Sequence, residues 1–162
     1  MLIHLQVTAR ENAEKRTGGT VLNTDFITEM TVSGTGAAFR YCPQAESRRG
    51  SHERITVSDT VTRIQAIMNQ AYAQTSITLS VFPEEDLTAT TVWTTFNIAE
   101  IEEGWPYSRA NRQAVNASGT NADSMSYVKI NEKGQIKRYI IDHYYMELVM
   151  LSRTVSTSTT TS

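Results

Sequence analysis

Three histidines, His4, His52 and His143, are the side chains in this chain best suited to proton transfer or metal ligation. His52-Glu53 is followed by Arg54-Ile55-Thr56, so the helical zinc motif H-E-x-x-H is absent. Asp142 directly precedes His143; on a strand such neighbours project to opposite faces and do not form a dyad. A hydrolytic site needs a histidine, a carboxylate and a hydroxyl to meet in space, which spacing alone does not supply. The carboxylates gather as Glu84-Glu85-Asp86 and as Glu100 with Glu102-Glu103. Both groups flank expected turns, where acidic residues serve solvation more often than metal binding or acid–base work. The single cysteine, Cys42, excludes an intramolecular disulfide framework and a multi-cysteine zinc site. Gly34-Thr-Gly36 leads into extended structure instead of a helix N-terminus, so it makes no phosphate cradle. These residues name no reaction. The expectation is a protein that is not an enzyme, with no catalytic residue, cofactor or metal site.

Binding residues are more plausible than catalytic ones. Arg40, Arg48, Arg49 and Arg54 form a small basic cluster, fit either for a solvated loop or for contact with DNA or an acidic neighbour. Trp93, Trp105 and Tyr107 offer either packing anchors or an aromatic platform for sugars. The terminal Val155-Ser-Thr-Ser-Thr-Thr-Thr-Ser162 has no means of folding alone. Ordering eight residues costs on the order of 8–16 kcal/mol at about 1–2 kcal/mol each. Main-chain pairing as an added strand on a sheet edge is the natural compensation. Extended, the segment reaches ~26 Å, beyond the ~15 Å radius of gyration of a globule of this size, and so to a neighbouring subunit.

The elements that position these residues are mostly strands. Ile3, Leu5 and Val7 alternate with His4, Gln6 and Thr8, which predicts a half-buried strand over 1–9. A second strand is expected over 20–33, broken by Gly34-Thr-Gly36, and a short one carries Phe39 and Tyr41 as far as Pro43. Val61, Ile64, Ile67 or Met68, Ala71 and Tyr72 recur at helical spacing, predicting one helix over about 59–73 with Ser58 or Asp59 as N-cap. Strands follow at 76–82 and, as one long element, at 87–102, closed by Gly104-Trp-Pro106. The polar stretch 107–125 reads as a long functional loop. A hairpin turns at Asn131-Glu-Lys-Gly134, with Gly134 in the left-handed position. Residues 136–151 carry both patterns: Tyr139-Ile-Ile and Tyr144-Tyr argue strand, Met146 to Leu151 argues helix, and we read the segment as strand.

At 162 residues the chain is expected to form one β-rich domain, 1–151, with a Ser/Thr-rich arm over 152–162. Threonine is the commonest residue and suits a pleated surface. A charged fraction of 20% and a net charge of −2 argue against generic nucleic-acid binding. Met1–Val7 lacks the pattern of a signal peptide and no apolar run is long enough for a membrane helix, so no membrane partner is expected. The fold class expected is mainly β: an antiparallel β-sandwich or barrel-like sheet flanked by one α-helix, with an extended loop and a C-terminal arm.

This order of elements, carried by the helix 59–73, the loop 107–125 and the tail 152–162, resembles the small β-sandwich structural proteins of tailed bacteriophage virions. These include head–tail connector rings, tail-tube subunits and decoration proteins. The resemblance implies a homo-oligomeric ring or lattice at the head–tail connector or neck, made in the host cytoplasm and located in the virion. It implies partners that are copies of itself and portal, capsid or tail subunits, with possible nonspecific contact with packaged DNA. Interface residues are then expected at Arg48, Arg49, Arg109, Arg112, Asn116, Thr154, Val155 and Thr157. The alternative from the residues themselves is a carbohydrate- or receptor-binding β-sandwich with a concave aromatic face near Trp93 or Trp105.

Overall fold

The computed structural model describes residues 1–11, 16–43, 53–70, 74–83, 86–107 and 124–153. Among them run β1 (Leu2–Arg10), β2 (Gly18–Asn23), β3 (Ile27–Ser33), β4 (Gly36–Tyr41), β5 (Glu53–Val57) and α1 (Val61–Met68). The chain continues through β6 (Ser76–Val81), β7 (Val92–Asn97), β8 (Ile101–Pro106), β9 (Ser126–Glu132), β10 (Gln135–Ile141) and α2 (Glu147–Arg153). The strands join in one ten-stranded sheet of order β3-β4-β5-β1-β2-β8-β9-β10-β6-β7. The paired neighbours are antiparallel throughout. The mainly β antiparallel fold with a flanking helix is therefore present, as one continuous sheet.

Strand alternation explains how one sheet serves two cores. Leu2 and Val21 join Ile77, Leu79, Phe96 and Val128 in one apolar cluster. Their sequence neighbours Ile3 and Leu22 join Leu5, Phe39 and Ile55 in another. Successive strand residues point to opposite faces, so β1 and β2 form a wall shared by two cores. Ile64 of α1 closes the second core and Leu148 of α2 closes the first. Each aliphatic side chain buried this way contributes about 1.5–3 kcal/mol. Gly104 lets α2 approach, because a Cβ there would lie 2.5 Å from Leu148 Cδ1.

Two expected long strands are each broken by an asparagine. Asn23 Oδ1 accepts from the Asp25 amide at 3.0 Å and folds Thr24–Phe26 into a 3-10 turn, splitting the expected strand 20–33 into β2 and β3. Asn97 Oδ1 accepts from the Ala99 amide at 3.0 Å and turns Ile98–Glu100 the same way, splitting the expected strand 87–102 into β7 and β8. Asparagine side chains compete with ladder bonding by such local bonds. Asn23 also ties the breaks together: its fully buried Nδ2 donates to Ile98 O at 2.9 Å and Ile101 O at 3.1 Å. Gly104-Trp-Pro106, expected to end a strand, lies within β8.

Helix α1 begins later than expected. Thr60 is the cap, with its hydroxyl accepting from Arg63 N at 3.1 Å, because Asp59 is engaged by the Gln6 amide at 2.8 Å and by Arg63 at 2.8 Å. The segment 136–151 is also corrected. It is strand only to Ile141, and Glu147–Arg153 is helical, with Leu148 facing the core and Ser152 bonded back to Val149 O at 2.7 Å. Lys133 and Gly134 both have positive φ, 52° and 89°, as a tight two-residue hairpin requires.

Candidate functional site

Strands β3 and β7 end the sheet, and each carries exposed apolar side chains: Val32 is 74% exposed, Val92 58% and Trp93 67%. The edges differ in how well they are guarded. β3 contains a register shift between Thr28 and Thr31, a left-handed Glu29 with φ 50°, and a Glu29–Arg40 ion pair at 2.9 Å. Bulges and charges of this kind discourage another strand from pairing. β7, Val-Trp-Thr-Thr-Phe-Asn, has no charge, no proline and unbroken register with β6 from Ser76↔Asn97 to Val81↔Val92.

The orientation of the β7 backbone follows from two flanking bonds. Ile98 N donates to Thr75 O at 2.9 Å, and on the other side of β6 Asp142 N donates to Ser80 O at 2.8 Å. In an antiparallel ladder the bonded pairs alternate. Val92, Thr94 and Phe96 therefore bond β6, while the amides of Trp93, Thr95 and Asn97 and the carbonyls of Trp93 and Thr95 point away from the sheet; the Asn97 carbonyl opens the turn Ile98–Glu100. The side chains of these same three residues are exposed. Thr95 Oγ1 lies 2.8 Å from Thr78 Oγ1, which stiffens the strand from the same face.

His143 secures this edge. Its Nε2 accepts the Ser80 amide at 2.9 Å where β10 has ended, and its ring packs edge-on against Trp93 at 5.8 Å. Nδ1 lies 3.5 Å from Glu147 Oε2, and Ser126 Oγ donates to His143 O at 2.7 Å. Histidine, carboxylate and serine thus do meet here. The arrangement is not that of a nucleophile and its base, because the Nε2 lone pair is occupied by a backbone amide and Ser126 Oγ is bonded to the His143 carbonyl instead of its ring.

The polar groups that the sequence left unexplained form a buried network at the end of the second core. Arg10 on β1 bridges Glu53 on β5 and Glu103 on β8, and Arg16 donates to Glu103 at 3.0 Å. Burial opposes the charge on Arg10, but the two carboxylates outweigh it and raise its pKa. Removing one partner of such a buried pair costs about 3–5 kcal/mol. Arg16 also lies 3.8 Å from the Trp105 ring centroid, and Trp105 stacks on Tyr127 at 5.5 Å. Trp105 is only 9% exposed, so its indole is closed to a sugar. Trp93, read from sequence either as a packing anchor or as part of an aromatic platform, lies exposed on the edge strand.

The basic cluster is visible in part: Arg40 and Arg54 are directly opposite across β4 and β5. Every residue expected at a subunit interface, Arg48, Arg49, Arg109, Arg112, Asn116, Thr154, Val155 and Thr157, lies outside the described residues, as does His52. A polar cleft of about 550 Å³ lies beside β7, lined by Thr95, Asn97, Glu100, Glu132 and Lys133. Among the described residues no cluster of three His, Cys, Asp or Glu side chains could hold a metal, and no helix is long and apolar enough to cross a membrane.

No protein family, no curated protein and no solved structure matches this chain.

Proposed function

We propose that this protein is a structural subunit that builds a homo-oligomeric ring or lattice in a virion, at the head–tail connector or neck of a tailed bacteriophage. The observation that carries the assembly reading is the β7 edge, with three outward backbone residues, no charge and an exposed indole. Such an edge is a template for another strand, and a monomer normally guards it. Joining unlike surfaces of successive copies closes a ring or runs on as a filament. The virion setting rests on the resemblance in element order, with portal, capsid or tail subunits as further partners and the arginine loop available to packaged DNA. Light scattering on the full chain tests the assembly reading: the particle mass is a multiple of 18.1 kDa. Thr95→Pro, which deletes an outward amide together with the hydroxyl contact to Thr78, returns the mass to that of one chain, whereas Thr95→Val, which deletes only that contact, leaves the assembly in place. A full chain that stays at one-chain mass at every concentration overturns the reading.

A second reading, a carbohydrate- or receptor-binding module, draws on the same exposed Trp93. It predicts glycan-array binding that Trp93→Ala abolishes while the chain remains monomeric.

A further inference from the structure

We infer that the β7 edge of one copy receives the C-terminal arm, residues 154–162, of a second copy as an added strand. This rests on the assembly reading above and names the partner at its central surface. The acceptor turns the amides of Trp93, Thr95 and Asn97 and the carbonyls of Trp93 and Thr95 away from β6, while the Asn97 carbonyl opens the Ile98–Glu100 turn. An uncharged edge favours an uncharged donor. The arm, Thr154-Val-Ser-Thr-Ser-Thr-Thr-Thr-Ser162, has no charged side chain, no proline and no glycine. Its threonines suit a pleated neighbour, and β7 already carries a cross-strand threonine pair with β6. The other free edge is a poorer donor, because bulged and charged β3 would bring Glu29 and Arg40 against an uncharged strand.

The course of α2 favours a donor from another molecule. The helix starts beside β7, where Glu147 approaches His143 and His143 packs on Trp93. It ends with Arg153 donating to Leu2 O on β1 at 2.8 Å. The described chain therefore ends against β1 and not at its own β7 edge. Nine residues extended reach ~30 Å at about 3.3 Å each, enough to cross to an adjacent copy. Donation from each copy to the next is a heterologous contact, which is the kind that makes rings.

The test co-expresses two full-length single variants, Thr95→Cys and an arm cysteine placed in turn at Val155, Thr157 and Thr159, under oxidising conditions. A covalent two-chain product that needs both variants is expected, because neither can form it within one chain. Truncation after Arg153, which leaves α2 and its bond to Leu2 intact, is expected to give a folded monomer. Three results overturn the inference while leaving edge assembly standing. They are an unchanged particle mass after truncation, a two-chain product from Thr95→Cys alone, or a bond formed only within a chain carrying both cysteines. A full-length chain that is monomeric throughout overturns both readings.

Discussion

Glu102 holds a carboxylate that its surroundings do not fully satisfy. Oε2 lies 3.4 Å from Lys129 Nζ, while the buried Oε1 has no hydrogen-bond partner within bonding distance among the described residues. Burial raises its pKa above the usual carboxylate value, against the pull of Lys129 and Asn131. A carboxyl whose folded pKa is raised favours the fold below its unfolded pKa and loses that contribution as pH rises through the folded value. Stability should therefore carry a component that falls from about pH 4.5 upward. Glu102→Gln is expected to melt a few degrees higher than the parent at neutral pH, with the gap closing near the ordinary carboxylate value. Thermal melts across that range check it, and a gap independent of pH refutes it. The sequence announced Glu102-Glu103 as a pair beside a turn, yet both are buried in β8. Only the third dimension supplies Arg10, Arg16 and Lys129 to meet them. The same holds for His143, whose role depends on where β10 stops.

Apolar alternation made most strands legible, because it is set by which face a residue buries. Ile77, Leu79 and Val81 in β6, and Phe39 and Tyr41 in β4, lie buried as their spacing implies. Breaks set by side-chain bonding were not legible. Asn23 and Asn97 interrupt stretches whose β pattern continues, and nothing local distinguishes them from solvent-facing asparagines. Helix α2 was obscured by aromatic, β-looking residues at Tyr139 and Tyr144-Tyr145, of which the tyrosine pair lies outside both the strand and the helix. The Ser33–Gly36 hairpin gives a test at this scale. A Cβ at Gly36 would lie 2.0 Å from Val57 O, a backbone atom of β5 held in the ladder with β4. Gly36→Ala is expected to lose about 1–3 kcal/mol, the usual cost of overpacking. Urea unfolding should show a lower midpoint at unchanged slope; an unchanged midpoint contradicts the close approach.

For the whole molecule, the sheet's two ends are chemically unlike, and the proposed assembly rests on that asymmetry. The β3 end is bulged and charged; the β7 end is regular, uncharged and capped by an exposed indole. Period-two alternation puts Trp93 and Asn97 on the face opposite Phe96, but it does not show that β7 lies at an edge. Strand order depends on pairings across the whole chain. Assembly through β7 makes a claim about particular amides. On that proposal the amides of Thr94 and Phe96 bond β6 in every state, whereas those of Trp93, Thr95 and Asn97, which point away from β6, gain a partner on assembly. Residue-resolved amide hydrogen exchange on the full chain, followed over a range of protein concentrations, reads this directly. The account predicts protection at Trp93, Thr95 and Asn97 that rises with concentration while Thr94 and Phe96 stay slow throughout. Fast exchange at those three amides at every concentration would contradict it.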